Sequence, residues 1–161
     1  MKKLRLALGT GLGSGLLPFA PGTWGSIPIA VLAWFVLSSP YEFPIFIGLT
    51  VLFSALSFWS LPAVATENDH DPSKFVMDEW AGQALTYAGT SFISGPDTDL
   101  LLVLLLGFVA FRFFDILKPF GIDRLQAIPG PKGVLFDDLL AGLYANISMK
   151  TFIFIGFQSG M

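Results

Sequence analysis

Residues 101–119 read LLVLLLGFVAFRFFDILKP. The run from Leu101 to Phe111 carries no charge and then gives way to Arg112, Asp115 and Lys118 before Pro119. An unbroken apolar run with no period-two alternation reads as a helix entering an apolar environment. At about 100° per residue, Arg112 and Asp115 lie roughly 60° apart on such a helix, as do Asp115 and Lys118. Asp115 then stands between two cations on one polar edge, with Phe113, Ile116 and Leu117 pointing elsewhere. Burying each charge in lipid would cost roughly 2.5–3.5 kcal/mol on insertion scales, so all three must meet partners, water or a ligand. Two readings stay open at this point. One is a self-satisfied ion-pair ladder at a membrane interface. The other is a phosphate site, with the arginine fork and the lysine point charge as donors and Asp115 orienting them or binding metal.

The rest of the chain has the same character. Hydrophobic residues make up 53% of its 161 residues and charged residues 13%, with mean hydropathy +0.69. Soluble domains carry roughly 25% charged residues, so a membrane environment is the expectation. The length fits one domain spanning residues 1–161. The absence of cysteine excludes disulfide staples, thiolate metal sites and cysteine nucleophiles. A single histidine, His70, argues against a Ser-His-Asp triad. No basic run is long enough to track nucleic acid. Chemistry must therefore come from carboxylates, Lys, Arg, hydroxyls and backbone.

Apolar segments recur at 27–39, 43–66, 80–93, 100–111 and 139–157, separated by Gly and Pro breaks. The second, uncharged over 24 residues, is long enough to cross a hydrocarbon core of roughly 30 Å, and Pro62 should kink or end it. With no strand alternation and no repeat, the expected fold is all-α: a single compact bundle of about five to seven helices, embedded in or associated with a membrane. The basic tip Lys2, Lys3 and Arg5 argues for a cytoplasmic N-terminus. Hairpins through 27–66 and 80–111 would then return Glu67 and Arg112 to that same side.

The charge is concentrated. Residues 67–79 hold six of the 21 charged residues and residues 112–138 hold eight more. Two acidic doublets stand out, Asp78-Glu79 in VMDEWAG and Asp137-Asp138 in GVLFDDLLAG, each followed by Ala-Gly and expected in or near a first helical turn. One doublet would be ordinary complement to a helix dipole. Two, flanking an Arg/Asp/Lys edge, suit Mg²⁺, which binds through one or two carboxylates with water and substrate phosphate. Upstream, GTGLGSG with Thr23 and Ser26 of APGTWGS reads either as an anion cradle of backbone N–H groups or as a tightly packed glycine turn. It is neither a Walker loop nor a dinucleotide fingerprint.

Taken together, GTGLGSGLLPFAPGTWGS (9–26), DPSKFVMDEWAG (71–82), FRFFDILKPFGI (111–122) and GVLFDDLLAG (133–142) resemble the phosphatidylglycerophosphatase A family, in order and over nearly the whole chain. The resemblance implies a Mg²⁺-dependent lipid phosphatase of the bacterial inner membrane that removes the terminal phosphate of phosphatidylglycerophosphate to give phosphatidylglycerol. It places the metal-binding acids at Asp71, Asp78, Glu79, Asp137 and Asp138, and the basic motif at Arg112, Asp115 and Lys118. On this reading Asp78, Glu79, Asp115 and Asp138 are catalytic, and Arg112, Lys118, Thr23 and Ser26 bind phosphate. The active site would face the cytoplasm, and an oligomer is compatible with the sequence. Attack by water and an aspartyl-phosphate route through Asp78 or Asp138 both remain open. The rival is a transporter or channel subunit that uses paired intramembrane charges.

Overall fold

The computed structural model describes residues 1–66, 69, 72–94 and 98–158. Among them are seven α-helices and no strand: α1 (Lys2–Gly9), α2 (Pro21–Val36), α3 (Glu42–Ser60), α4 (Met77–Tyr87), α5 (Leu100–Leu117), α6 (Ile122–Gln126) and α7 (Pro131–Gln158). The all-α expectation holds. Three helices are long and apolar enough to cross a membrane, within Glu42–Ala63, Leu100–Leu117 and Pro131–Gly156. Their outer faces expose large apolar side chains such as Val51, Leu105, Val109 and Phe154, as a membrane-associated protein requires.

Helix boundaries follow from local chemistry. Asp99 opens α5 by accepting the Leu101 N–H at 2.8 Å. The helix runs through RFFDIL and stops where Pro119 cannot continue it. Lys118 consequently leaves the helix in a left-handed conformation, φ 46°. This corrects the three-charge helical edge: Arg112 and Asp115 share it, and Lys118 turns away. Pro62 ends α3 as expected, with a tight turn at Leu61–Ala63. Gly130 (φ 82°) precedes Pro131, which starts α7. Because α7 starts there, Asp137-Asp138 fall in its second turn, not its first, and both are buried.

The segment 80–93 is not one leg of a membrane hairpin. Its helix, α4, is only 11 residues long, and Met77, Ala81, Ala84 and Tyr87 on it are completely buried. It forms the axis of the bundle, packed against α2, α3, α5 and α7. Its closest partner is α7. A Cβ on Gly142 would stand 2.3 Å from the Gly82 carbonyl oxygen, so the two backbones meet where no side chain fits. From that contact α7 presents a residue to α4 every turn. Asn146 donates to the carbonyls of Leu85, Thr86 and Ala88, and Lys150 Nζ donates to Ala88 O at 2.8 Å. Lys150 therefore caps the end of α4. Beside it, fully buried Glu42 accepts from the Ser91 N–H and hydroxyl and from the Gly89 N–H.

Candidate active site

One turn before Gly82 lies Asp78, and one turn before Gly142 lies Asp138. Both helices begin at the same end of the bundle, so the glycine contact sets the two acids side by side. The start of α2 and the end of α5 reach the same place. Together they enclose a cavity of about 380 Å³. α4 contributes Asp78 and Glu79, α5 contributes Arg112, Asp115 and Ile116, and α7 contributes Val134, Asp137 and Asp138, with Lys118 just beyond α5. Gly22 and Thr23 of α2 and the preceding Ala20 and Pro21 close another side, with Ser73 and Phe75. Five carboxylates thus face two cations in one pocket.

The ion pairs are specific. Arg112 Nη1 lies 2.7 Å from Asp115 Oδ2, one helical turn away, and 3.4 Å from Glu79 Oε1. Lys118 Nζ pairs with Asp137 Oδ2. Asp138 shares a hydrogen bond with Asp115 and stands in the field of Asp78 and Asp137. The Glu79 carboxylate is held on its other side by α2. A Cβ on Gly22 would lie 2.1 Å from its Oε1, and one on Gly25 would lie 2.5 Å from its Oε2. Burial pushes Glu79 up to about 8, against the lowering influence of Arg112 and with a further rise from Asp115. For Lys118, burial alone would lower the ammonium. The hydrogen bond and charge of Asp137, with Asp138 and Asp115 behind them, outweigh it and hold the group above its usual range.

The structure brings Asp78, Glu79, Arg112, Asp115, Lys118, Asp137, Asp138 and Thr23 to one cavity, as the sequence reading required. Ser26 is different. It is fully buried behind the cavity wall, its Oγ donating to Gly22 O at 2.9 Å and accepting from Arg112 Nη1 at 3.4 Å. Asp71 and His70 lie outside the described residues. The glycine segment resolves in favour of packing. Cβ atoms at Gly9, Gly11 and Gly15 would collide with Val64, Val76 and the Lys74 carbonyl, so these glycines let the chain lie against the 74–76 segment. Residues 9–16 are absent from the cavity lining. Sequence reasoning missed Ser73, although it stands inside the DPSKF stretch, and it missed Gly22, whose lack of a side chain makes room for Glu79.

The donor set suits a hard divalent cation. Among the described residues no three acidic or histidine side chains form a ready-made cage. Mg²⁺ does not need one, because it fills its shell with water and substrate phosphate beside one or two carboxylates. Even with Glu79 protonated, four acids face two bases in the cavity, and a divalent ion would offset that excess of negative charge.

The comparisons with known proteins give the family. The family model described as phosphatidylglycerophosphatase A matches residues 7–153. The chain belongs to the phosphatidylglycerophosphatase A family. Membership places it among the hydrolases of phospholipid metabolism. A Bacteroides thetaiotaomicron protein provisionally named phosphatidylinositol-3-phosphatase is 35% identical, covering 89% of this chain and 90% of the relative. The phosphatidylglycerophosphatase A of Haemophilus influenzae is 34% identical over 87% of this chain and 83% of its own. That of Escherichia coli is 32% identical over 92% and 81%. No solved structure matches the chain. The matched range takes in the acidic and basic segments that line the cavity and the glycine-rich segment packed beside them.

Proposed function

We propose that this protein hydrolyses the terminal phosphomonoester of phosphatidylglycerophosphate, releasing phosphatidylglycerol and inorganic phosphate, with Mg²⁺ as cofactor, at the cytoplasmic face of the bacterial inner membrane. The observation that carries the proposal is the gathering of Asp78, Asp115, Asp137 and Asp138 with Arg112 and Lys118 in one cavity at the end of an apolar bundle. Asp78, Asp137 and Asp138 would hold the metal, which when bound offsets phosphate charge and supplies Lewis-acid polarisation. Arg112, aligned by Asp115 and Glu79, and Lys118, drawn in by Asp137, neutralise the phosphate oxygens as charge builds on them. The Thr23 hydroxyl and the Gly22 N–H at the start of α2 present donors to the same anion. Asp138 accepts the proton of the attacking water as its oxygen bonds to phosphorus. The bond from phosphorus to the glycerol oxygen breaks, that oxygen takes a proton from solvent water as it leaves, and Asp138 returns its proton to solvent. Glu79 in the cavity wall and Ser26 behind it act as positioning residues for Arg112.

The cytoplasmic orientation is supported by the basic tip. Arg5 lies over the Trp59 ring at 4.9 Å, and the Gly9 carbonyl at the end of α1 accepts from Val76 N–H, two residues before Asp78. The tip and the cavity therefore share one end of the molecule. A transport role would place charges near mid-span, whereas these stand at helix ends. The test is phosphate release in detergent micelles from three substrates: phosphatidylglycerophosphate, phosphatidylinositol 3-phosphate and phosphatidic acid, each with Mg²⁺ and with EDTA. The proposal expects release from the first at least tenfold above the others, abolished by EDTA and restored by Mg²⁺. Preference for phosphatidylinositol 3-phosphate would refute the substrate, and full activity in EDTA would refute the metal.

A further inference from the structure

A second recess opens beside the catalytic cavity. It lies between α2 and α5, has a volume of about 460 Å³, and its exposed lining is entirely apolar. α2 lines it with Thr23, Ile27, Ala30, Val31, Trp34 and Phe35, one stripe of that helix. α5 supplies Leu104, Leu105 and Phe108. Thr23 belongs to both spaces, so the groove begins where the polar cavity ends. The α5 stripe leads the same way, since the next residue at the four-residue spacing of Leu104 and Phe108 is Arg112. From Thr23 to Phe35 the groove runs about 18 Å along α2, at 1.5 Å per residue. Its outer lip is exposed: Val31 is 55% accessible, Phe35 73% and Leu105 53%.

We infer that the α2/α5 seam binds one acyl chain of the lipid whose phosphorylated headgroup enters the cavity, and so sets chain-length preference. The inference rests on the phosphatase reading above. A phosphate at Arg112 and Thr23 must have its diacylglycerol leave the cavity somewhere, and this seam is an apolar path continuous with the phosphate donors. The geometry does not suit another helix. Close helix association in a membrane favours small residues at the contact, whereas Trp34, Phe35 and Val31 stand out from this one. A flexible hydrocarbon chain can run between such side chains.

The test fills the groove from each wall, with Ala30→Trp and separately Leu105→Trp. Both are assayed on phosphatidylglycerophosphate with two hexadecanoyl chains and on the dihexanoyl form, in the same micelles. The expected result is a fall in kcat/KM of at least tenfold on the long-chain substrate, with the short-chain value within about twofold of wild type. The short-chain rate also certifies that each variant is folded and its cavity intact. Long-chain rates unchanged in both variants would overturn the inference. An equal loss on both substrates, or a change of oligomeric state that accounts for the loss, would do the same. Wild-type protein that hydrolyses neither substrate would sink the phosphatase reading itself.

Discussion

Gly142→Ala is a one-methyl change that touches no charged group, yet on the proposed function it should cost turnover. The new Cβ would stand 2.3 Å from the Gly82 carbonyl oxygen and 2.9 Å from its carbon, both backbone atoms of α4. Ordinary contact begins at 3.4 Å, so the helices must separate locally by about 1 Å. Asp138 and Asp78 lie one turn away on the two helices and inherit that displacement. A misplacement of about 1 Å in a reacting constellation costs on the order of 100-fold in rate. Overpacking of this kind destabilises by about 1–3 kcal/mol, which for a chain of this size lowers Tm by roughly 2–4 °C per kcal/mol. Phosphate release and thermal unfolding would be measured on the same micellar preparation, well below Tm. The expected outcome is a loss of about 100-fold in kcat with a folded protein. Gly48→Ala on α3, where an added Cβ meets nothing within 4 Å, should leave turnover unchanged and Tm equal or slightly raised. Turnover of Gly142→Ala within about twofold of wild type would refute the claim that the Gly82–Gly142 contact sets the catalytic acids.

Three further outcomes follow from the packing. Arg112→Ala should lower kcat/KM by about 10²–10³-fold, while Arg124→Ala, on the exposed face of α6, should stay within about twofold in the same assay. Glu42→Ala removes the acceptor for three donors at Gly89 and Ser91. It should cost about 3 kcal/mol in denaturant unfolding, with turnover nearly unchanged because the cluster lies at the opposite end of α4 from the cavity. Burial raises the Tyr87 phenol above its ordinary 10.0. The stability it carries is therefore complete below about pH 10 and is lost as pH rises toward the folded value. The Tm of wild type should fall more steeply above about pH 10 than that of Tyr87→Phe, and parallel curves would count against the buried phenol.

Much of the site was legible because charge is sparse. In a chain this apolar, two acidic doublets and one Arg/Asp/Lys edge had few other reasons to exist, and the structure brings them to one pocket. The spacing that sets their geometry was also on the page. Asp78 to Gly82 and Asp138 to Gly142 are both four residues, one helical turn, so each acid carries its own close-packing glycine. Periodicity could not reveal α4 as the buried axis, because a run of small and apolar residues looks alike whether it faces lipid or protein. Helix ends were displaced for local reasons. RFFDIL continues α5 because its charges find partners there, and Lys118 departs because Pro119 follows. Ser26 was read as a ligand because hydroxyls beside glycines suit anions, but the glycines let Glu79 approach α2 and put Ser26 behind it. The α2/α5 groove needs two helices at once and has no signature in either.

On the proposal above, Asp78 and Asp138, 60 residues apart in sequence, would hold a divalent ion between them. Titrating Mn²⁺ into the detergent-solubilised protein, with free ion followed by electron paramagnetic resonance, reads this without turnover. Asp78→Asn and Asp138→Asn should each weaken binding at least tenfold, and Asp123→Asn, on exposed α6, should leave it unchanged. Wild-type affinity in both Asp78→Asn and Asp138→Asn would contradict the account.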